Sequence, residues 1–239
     1  MATIQKFTHA EVFNQFRHVL RQLTQYANPD VDVKRIHNDY FVSPARETDG
    51  YRRYKEILNQ CYLYGKRDLK TLAGIIVTLP RDVPSGGQEE QAFFKASYDF
   101  LNTRYCGEEH CCSAVVHRDE SGQPHMHYLF VPVVHLDKPK HDKEWKVCAS
   151  EVLSRDSYYT LHNDLQAYLD AHLDFHATVA SGITRAQGGN KTVRELKKET
   201  PREREERKRK IEKAQKASRW DRSSHRSRDE KDSHERGRW

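Results

Sequence analysis

The chain has 239 residues, 36% hydrophobic and 32% charged, with a formal net charge of +6. That length suits one large domain, or one domain with an appendage. No stretch approaches a membrane span, the N-terminus lacks the apolar core of a signal peptide, and five cysteines without CxxC spacing argue against a secreted disulfide framework. A reduced cytoplasm is the expected setting. From Gln187 onward 19 Lys/Arg face 11 Asp/Glu, which leaves the preceding part near −2. A basic tail suggests a polyanionic partner, because phosphate contacts dominate non-specific affinity for nucleic acid.

In chain order, Thr3–Phe7 reads as a short edge strand. From His9 to Tyr26, Val12, Phe13, Phe16, Val19, Leu20 and Leu23 recur at helical spacing, and Asn28-Pro29-Asp30 ends the pattern. Val31–Pro44 is irregular or partly extended. Tyr51–Tyr64 looks helical, with Gly65 after it. Leu72–Leu79 is a strand bounded by Pro80, and a helix is expected over Glu89–Arg104. A hairpin occupies Cys111–Val134, a polar loop Asp137–Lys146, and a helix Thr160–Asp174. Cys111 and Cys112 read as strand residues. This order predicts an α+β fold, helices packed on one face of an antiparallel sheet.

The division expected is a domain over 1–185 and a basic, helical to disordered tail over 186–239. Val193–Lys198 and Arg202–Ala217 carry helix-forming residues, but the latter has almost no apolar stripe. Ser218–Trp239 is a low-complexity run expected to be disordered alone.

The hairpin carries the chemistry. His117 ends one strand, Asp119–Gln123 has turn composition, and His125-Met126-His127 opens the next strand. Side chains alternate along a strand, so His125 and His127 share a face and Met126 takes the other, while His117 can lie opposite the pair. A His-x-His pair alone occurs in many solvated strands. A third histidine and Glu120 across a tight turn make a divalent-metal site, with positions open for water or substrate.

His-x-Asp-Glu followed by Pro-His-Met-His resembles the metal motif of the MobV-type relaxases, the Mob/Pre plasmid mobilisation and recombination proteins. His18-Val-Leu-Arg21 is similar to that family's N-terminal His-x-x-Arg motif. Asn28-Pro-Asp-Val-Asp32, with Arg35, Asn38 and Tyr40, is similar to its Asn-Pro-Asp-Ile-Asp…Arg…Asn-Tyr segment. Two departures stand out: a longer turn before Pro124, and His-Asn-Asp-Tyr at 37–40 in place of the usual order.

The resemblance implies the HUH endonuclease fold, a central antiparallel sheet flanked by helices. It implies an enzyme that nicks one DNA strand at a plasmid transfer origin, stays bound to the 5′ phosphate and rejoins the strand. On that footing His117, His125 and His127 hold Mn²⁺ or Mg²⁺, and Glu120 is a fourth ligand or orients one of the histidines. His18 is the nucleophile, and Arg21, one turn later on the same helix face, contacts the same phosphate. Asp119 caps the turn.

Tyr26, Tyr158 and Tyr159 are rival nucleophiles, as in HUH replication initiators and transposases. The further alternatives are a non-cleaving origin-binding repressor and, least favoured, a metal-dependent hydrolase of small molecules. For DNA contact the choice is Arg35, Tyr40, Arg46, Arg52 and Arg53, with Lys34, Phe41, Tyr51 and Tyr54 nearby. The partner is single-stranded or hairpin DNA of a transfer origin; a homodimer is left open.

Overall fold

A computed structural model describes residues 2–26, 28–42, 49–179 and parts of 200–209. Arg46 and nearly all of 186–239 lie outside the described residues, and so do the tail readings. The chain divides into two units, Met1–Ser181 and Gly182–Trp239. In the second, Thr200 opens a helical turn, donating from its N–H to Glu203 Oε2 at 2.8 Å.

In the first unit, β1 (Ala2–Thr8) leads into α1 (His9–Val19). Glu11 reaches back to accept from the Thr8 N–H at 2.7 Å, satisfying an amide at the helix start. A 3₁₀ turn (Val33–Asn38), β2 (Tyr40–Phe41), α2 (Gly50–Gln60), β3 (Cys61–Tyr62), β4 (Lys70–Thr78) and α3 (Gln88–Arg104) follow. Then come β5 (Cys111–His117), β6 (His125–Phe130), β7 (Val133–Lys140), β8 (Lys143–Val147), α4 (Ala149–Val152) and α5 (Arg155–His172).

Five strands form one antiparallel sheet in the order β1-β4-β6-β5-β2. Alternation along β6 divides the protein into two cores. Met126, Tyr128 and Phe130 pack with Phe93, Phe94 and Leu101 of α3 and with Leu161, Leu165 and Leu169 of α5. Leu129 and Val131 pack with Val12, Phe16 and Val19 of α1 and with Tyr54, Ile57 and Leu58 of α2. Helices therefore cover both sheet faces, where the sequence reading put them on one. The near-continuous apolar runs of β4 and β5 leave no polar face for solvent.

Three further differences have physical causes. Helix α1 stops at Val19, well short of Tyr26, because Arg21 takes a left-handed backbone (φ 53°). The stretch Asp137–Lys146 is no loop: β7 and β8 pair antiparallel, and β3 joins β8 in parallel, making a second sheet. Its turn has positive φ at both His141 and Asp142, a hairpin geometry usually signalled by Asn-Gly. Helix α5 begins at Arg155 because the Ser154 side chain accepts from the Ser157 N–H at 3.3 Å.

Phe16, 1% exposed, joins α1 to the sheet, and a Cβ at Gly50 would stand 2.7 Å from its ring. Phe16→Ala is expected to lower stability by about 3–5 kcal/mol, measured as a lower urea midpoint with an unchanged slope.

Candidate metal centre and nucleophile

The register sets His117 directly against His125, with His127 next along β6 on the same face. That face is the α1/α2 side, since Leu129 continues it into the second core. Ring centroids lie 5.5 Å apart for His117–His125, 4.5 Å for His117–His127 and 5.0 Å for His125–His127. One ligand atom from each lies within 4.8 Å of the others.

All three imidazoles are held neutral. Burial, then the Arg21 charge, pushes His117 down to about 2. Burial lowers His125, and burial followed by the neighbouring histidines lowers His127 well below the ordinary value. Neutral rings keep the lone pairs a cation needs. His117 Nε2–H donates to the Val19 carbonyl at 2.8 Å, which leaves Nδ1, 2.9 Å from Arg21 Nη2, as the one lone pair it could offer a cation in exchange for that contact. His127 Nε2 is buried with no hydrogen-bond partner among the described residues. An orphaned imidazole nitrogen beside two more neutral rings fits a divalent cation and is costly without one.

A ring of carboxylates stands behind the histidines. Arg21 Nη2 donates to Asp119 Oδ1 at 2.6 Å and Glu120 Oε1 at 2.9 Å, and its Nε lies 3.6 Å from Asp39 Oδ2. The side chains of Arg21, Asp119 and Asp39 are 4%, 0% and 7% exposed. Three carboxylates around one guanidinium leave surplus negative charge beside the imidazoles. Burial, together with the Asp119 charge, accordingly raises Asp39 to about 6. Glu120 Oε2 lies 4.0 Å from His125 Nε2.

Arg21 is therefore not on the His18 face of a continuing helix. It turns inward past the helix end, its Nη1 donating to the His18 carbonyl at 3.2 Å. Asp119 does not cap a solvated turn; it is a buried partner of Arg21, and its own carbonyl accepts from the Asp32 N–H at 2.8 Å. Sequence reasoning missed Asp39 in this role, since it lies 80 residues before Asp119 and 81 before Glu120 and no local rule joins them; only its place just before β2 hinted at it.

His18 is brought to the cluster, its ring centroid 6.4 Å from His117 and 6.3 Å from His127, both edge-on. Burial, then the Arg21 charge, lowers its pKa, so it too is neutral near pH 7. Tyr26 also arrives, its ring 6.5 Å from His18 and 5.5 Å from the Arg21 guanidinium, its hydroxyl buried without a partner among the described residues. A cleft of about 250 Å³ opens here, lined by His18, Glu120, His125 and His127 with Gln5, Gln15 and Asn28. The amides of that set were not singled out by sequence; only Asn28 carried a motif.

The remaining residues sit elsewhere. Tyr158 and Tyr159 lie on α5, whose apolar face packs on the opposite side of the sheet from the histidines. Tyr40 donates to the buried Glu90 at 3.2 Å, and burial raises its pKa. Arg35 Nη2 donates to the Arg118 carbonyl at 2.5 Å, beside the hairpin turn. Arg52 is exposed and pairs with Glu56 at 3.0 Å, and Arg53 Nη2 donates to the Glu109 carbonyl at 2.5 Å. Tyr54 is fully buried, its hydroxyl 2.6 Å from Thr71 Oγ1, which removes it from the DNA-contact set.

Fold and cluster together define an α+β domain with three imidazoles converging on one face of an antiparallel sheet. The family model for plasmid recombination enzymes, Mob_Pre, matches residues 1–198, and the chain belongs to that family. It is 32% identical over 123 residues to the plasmid recombination enzyme type 1 of Staphylococcus aureus, covering 49% of this chain and 30% of that one. It is 24% identical over 204 residues to a plasmid recombination enzyme of Streptococcus agalactiae, covering 83% and 38%. The chain thus spans well under half the length of these relatives. Among solved structures, it is similar in fold to the MobM relaxase domain in an Mn-bound crystal structure with plasmid pMV158 oriT DNA. The TM-score is 0.66 at 24% identity, over 82% of this chain and 96% of that one.

Proposed function

We propose that this chain nicks and rejoins single-stranded DNA at a plasmid or mobile-element transfer origin, through a covalent 5′-phosphate link to His18. The observation that carries this reading is the placement of a neutral, half-buried His18 edge-on to His117 and His127, with a cleft between. Family membership and the DNA and Mn in the MobM relaxase structure support it. In this reading residues 1–185 are the nicking domain and 186–239 a basic extension.

His117, His125 and His127 would hold the cation, with Glu120 near His125 orienting it or completing the ligand set. Mn²⁺ suits imidazole nitrogen better than Mg²⁺, which prefers oxygen. When bound, it would polarise the phosphodiester and offset the charge that develops on it.

His18 attacks phosphorus through its lone pair; a P–N bond forms, the bond to the 3′ oxygen breaks, and that oxygen leaves to take a proton. The phosphoramidate keeps the bond energy that the reverse attack by the 3′-hydroxyl needs for resealing. Arg21 acts from behind, as a buried buttress between the carboxylates and the His18 carbonyl, and Asp39 and Asp119 hold it there.

Tyr26 is the second reading, because its ring lies 6.5 Å from His18 and its buried hydroxyl has no partner among the described residues. The test is a denaturing gel of wild type and Tyr26→Phe with Mn²⁺ and a labelled origin strand from the flanking DNA. Wild type and Tyr26→Phe are expected to form the same adduct with the fragment downstream of the nick. Loss of the adduct in Tyr26→Phe alone would move the nucleophile to tyrosine. Tight binding without cleavage would make the chain an origin-binding module.

A further inference from the structure

Helix α1 carries a second feature besides His18. Phe13 is 50% exposed. The Arg17 guanidinium lies 5.7 Å over its ring, and Tyr51 of α2 meets the same ring edge-on at 5.2 Å. Lys55 stands 4.9 Å over Tyr51, and Arg52, its side chain 73% exposed, continues the surface along α2. A lone exposed aromatic needs no explanation. Two adjoining rings framed by cations from two helices form a surface of a particular chemistry.

Arg17, Arg52, Arg53 and Lys55 outnumber the acids beside them, Asp49 and Glu56; Glu11 of α1 is taken up by Thr8 and Lys70. Phe, Tyr and Arg are enriched at protein–protein interfaces too, so it is the surplus of cations, Lys55 among them, that favours a polyanion over another protein here. Aromatic rings alternating with cations match unpaired bases and the phosphates joining them.

We propose that the Phe13–Tyr51 surface is a stacking platform for an unpaired base of a single DNA strand, with Arg17, Arg52 and Lys55 facing its phosphates. The proposal rests on the strand-transfer reading and locates part of its substrate. Five positions separate Phe13 from His18, a rise of about 7.5 Å and a rotation of about 140°, so the platform lies on the other flank of α1 and would take a part of the strand that passes around the helix from His18.

The test is fluorescence anisotropy of the full chain with a labelled single-stranded origin oligonucleotide, alongside nicking kinetics and Mn²⁺ calorimetry. Phe13→Ala is expected to weaken binding about 10- to 100-fold, to show the loss in KM, and to keep wild-type Mn²⁺ affinity; Phe13→Trp is expected to restore binding. Arg17→Ala with Lys55→Ala is expected to flatten the salt dependence of binding. Wild-type affinity and KM in Phe13→Ala, while the chain still nicks, would overturn the platform and leave the strand-transfer reading standing. A wild-type chain that neither binds nor nicks a single strand would overturn both. Loss of self-association in sedimentation without loss of DNA affinity would assign the surface to a second copy of the chain and overturn the proposal.

Discussion

His18→Ala is expected to lower nicking by about 10³-fold or more and to remove the protein–DNA adduct while leaving DNA binding within a few-fold of wild type. The side chain is half-buried and has no hydrogen-bond partner among the described residues; the helix it rides on is anchored by Val12, Phe16 and Val19. Circular dichroism and the thermal midpoint should therefore match wild type. Gel-resolved adduct formation at saturating Mn²⁺ checks the prediction, and an adduct surviving in the variant would contradict it.

The second large effect is expected at His127, a buried imidazole whose Nε2 has no hydrogen-bond partner among the described residues. In the proposed site the variant would keep only His117 and His125, with Glu120 near them, so His127→Ala is expected to weaken Mn²⁺ binding at least about 100-fold by calorimetry. Metal and folding are linked: Mn²⁺ at about 100 times its Kd is expected to stabilise wild type by ~2.7 kcal/mol and the variant hardly at all. An unchanged shift in thermal midpoint with Mn²⁺ in His127→Ala would show that the cation binds elsewhere.

The three histidines were legible in the sequence because strand alternation and a short turn are local rules. Two positions apart on one strand is one face, and a hairpin sets its own register. Met126 on the far face, packed among α3 and α5, follows from the same rule. What was not legible depends on contacts remote in sequence. Arg21 leaves its helix for the left-handed backbone because Asp39, Asp119 and Glu120 converge on its guanidinium, and propensity within α1 carries no trace of them. The β7–β8 hairpin was missed because both of its faces are largely polar and its turn uses His141-Asp142. Tyr54 and Phe13 exchange the roles that composition suggested. Both are aromatics near basic residues, but the packing of α1 against α2 buries one and leaves the other exposed.

The central claim is that His18 carries the DNA phosphate in this site. The most direct measurement is mass spectrometry of the trapped adduct after digestion, with acid treatment as a second readout. A nucleotide remnant is expected on the peptide bearing His18, through a P–N bond that acid cleaves. A remnant on Tyr26, or any acid-stable linkage, would contradict it.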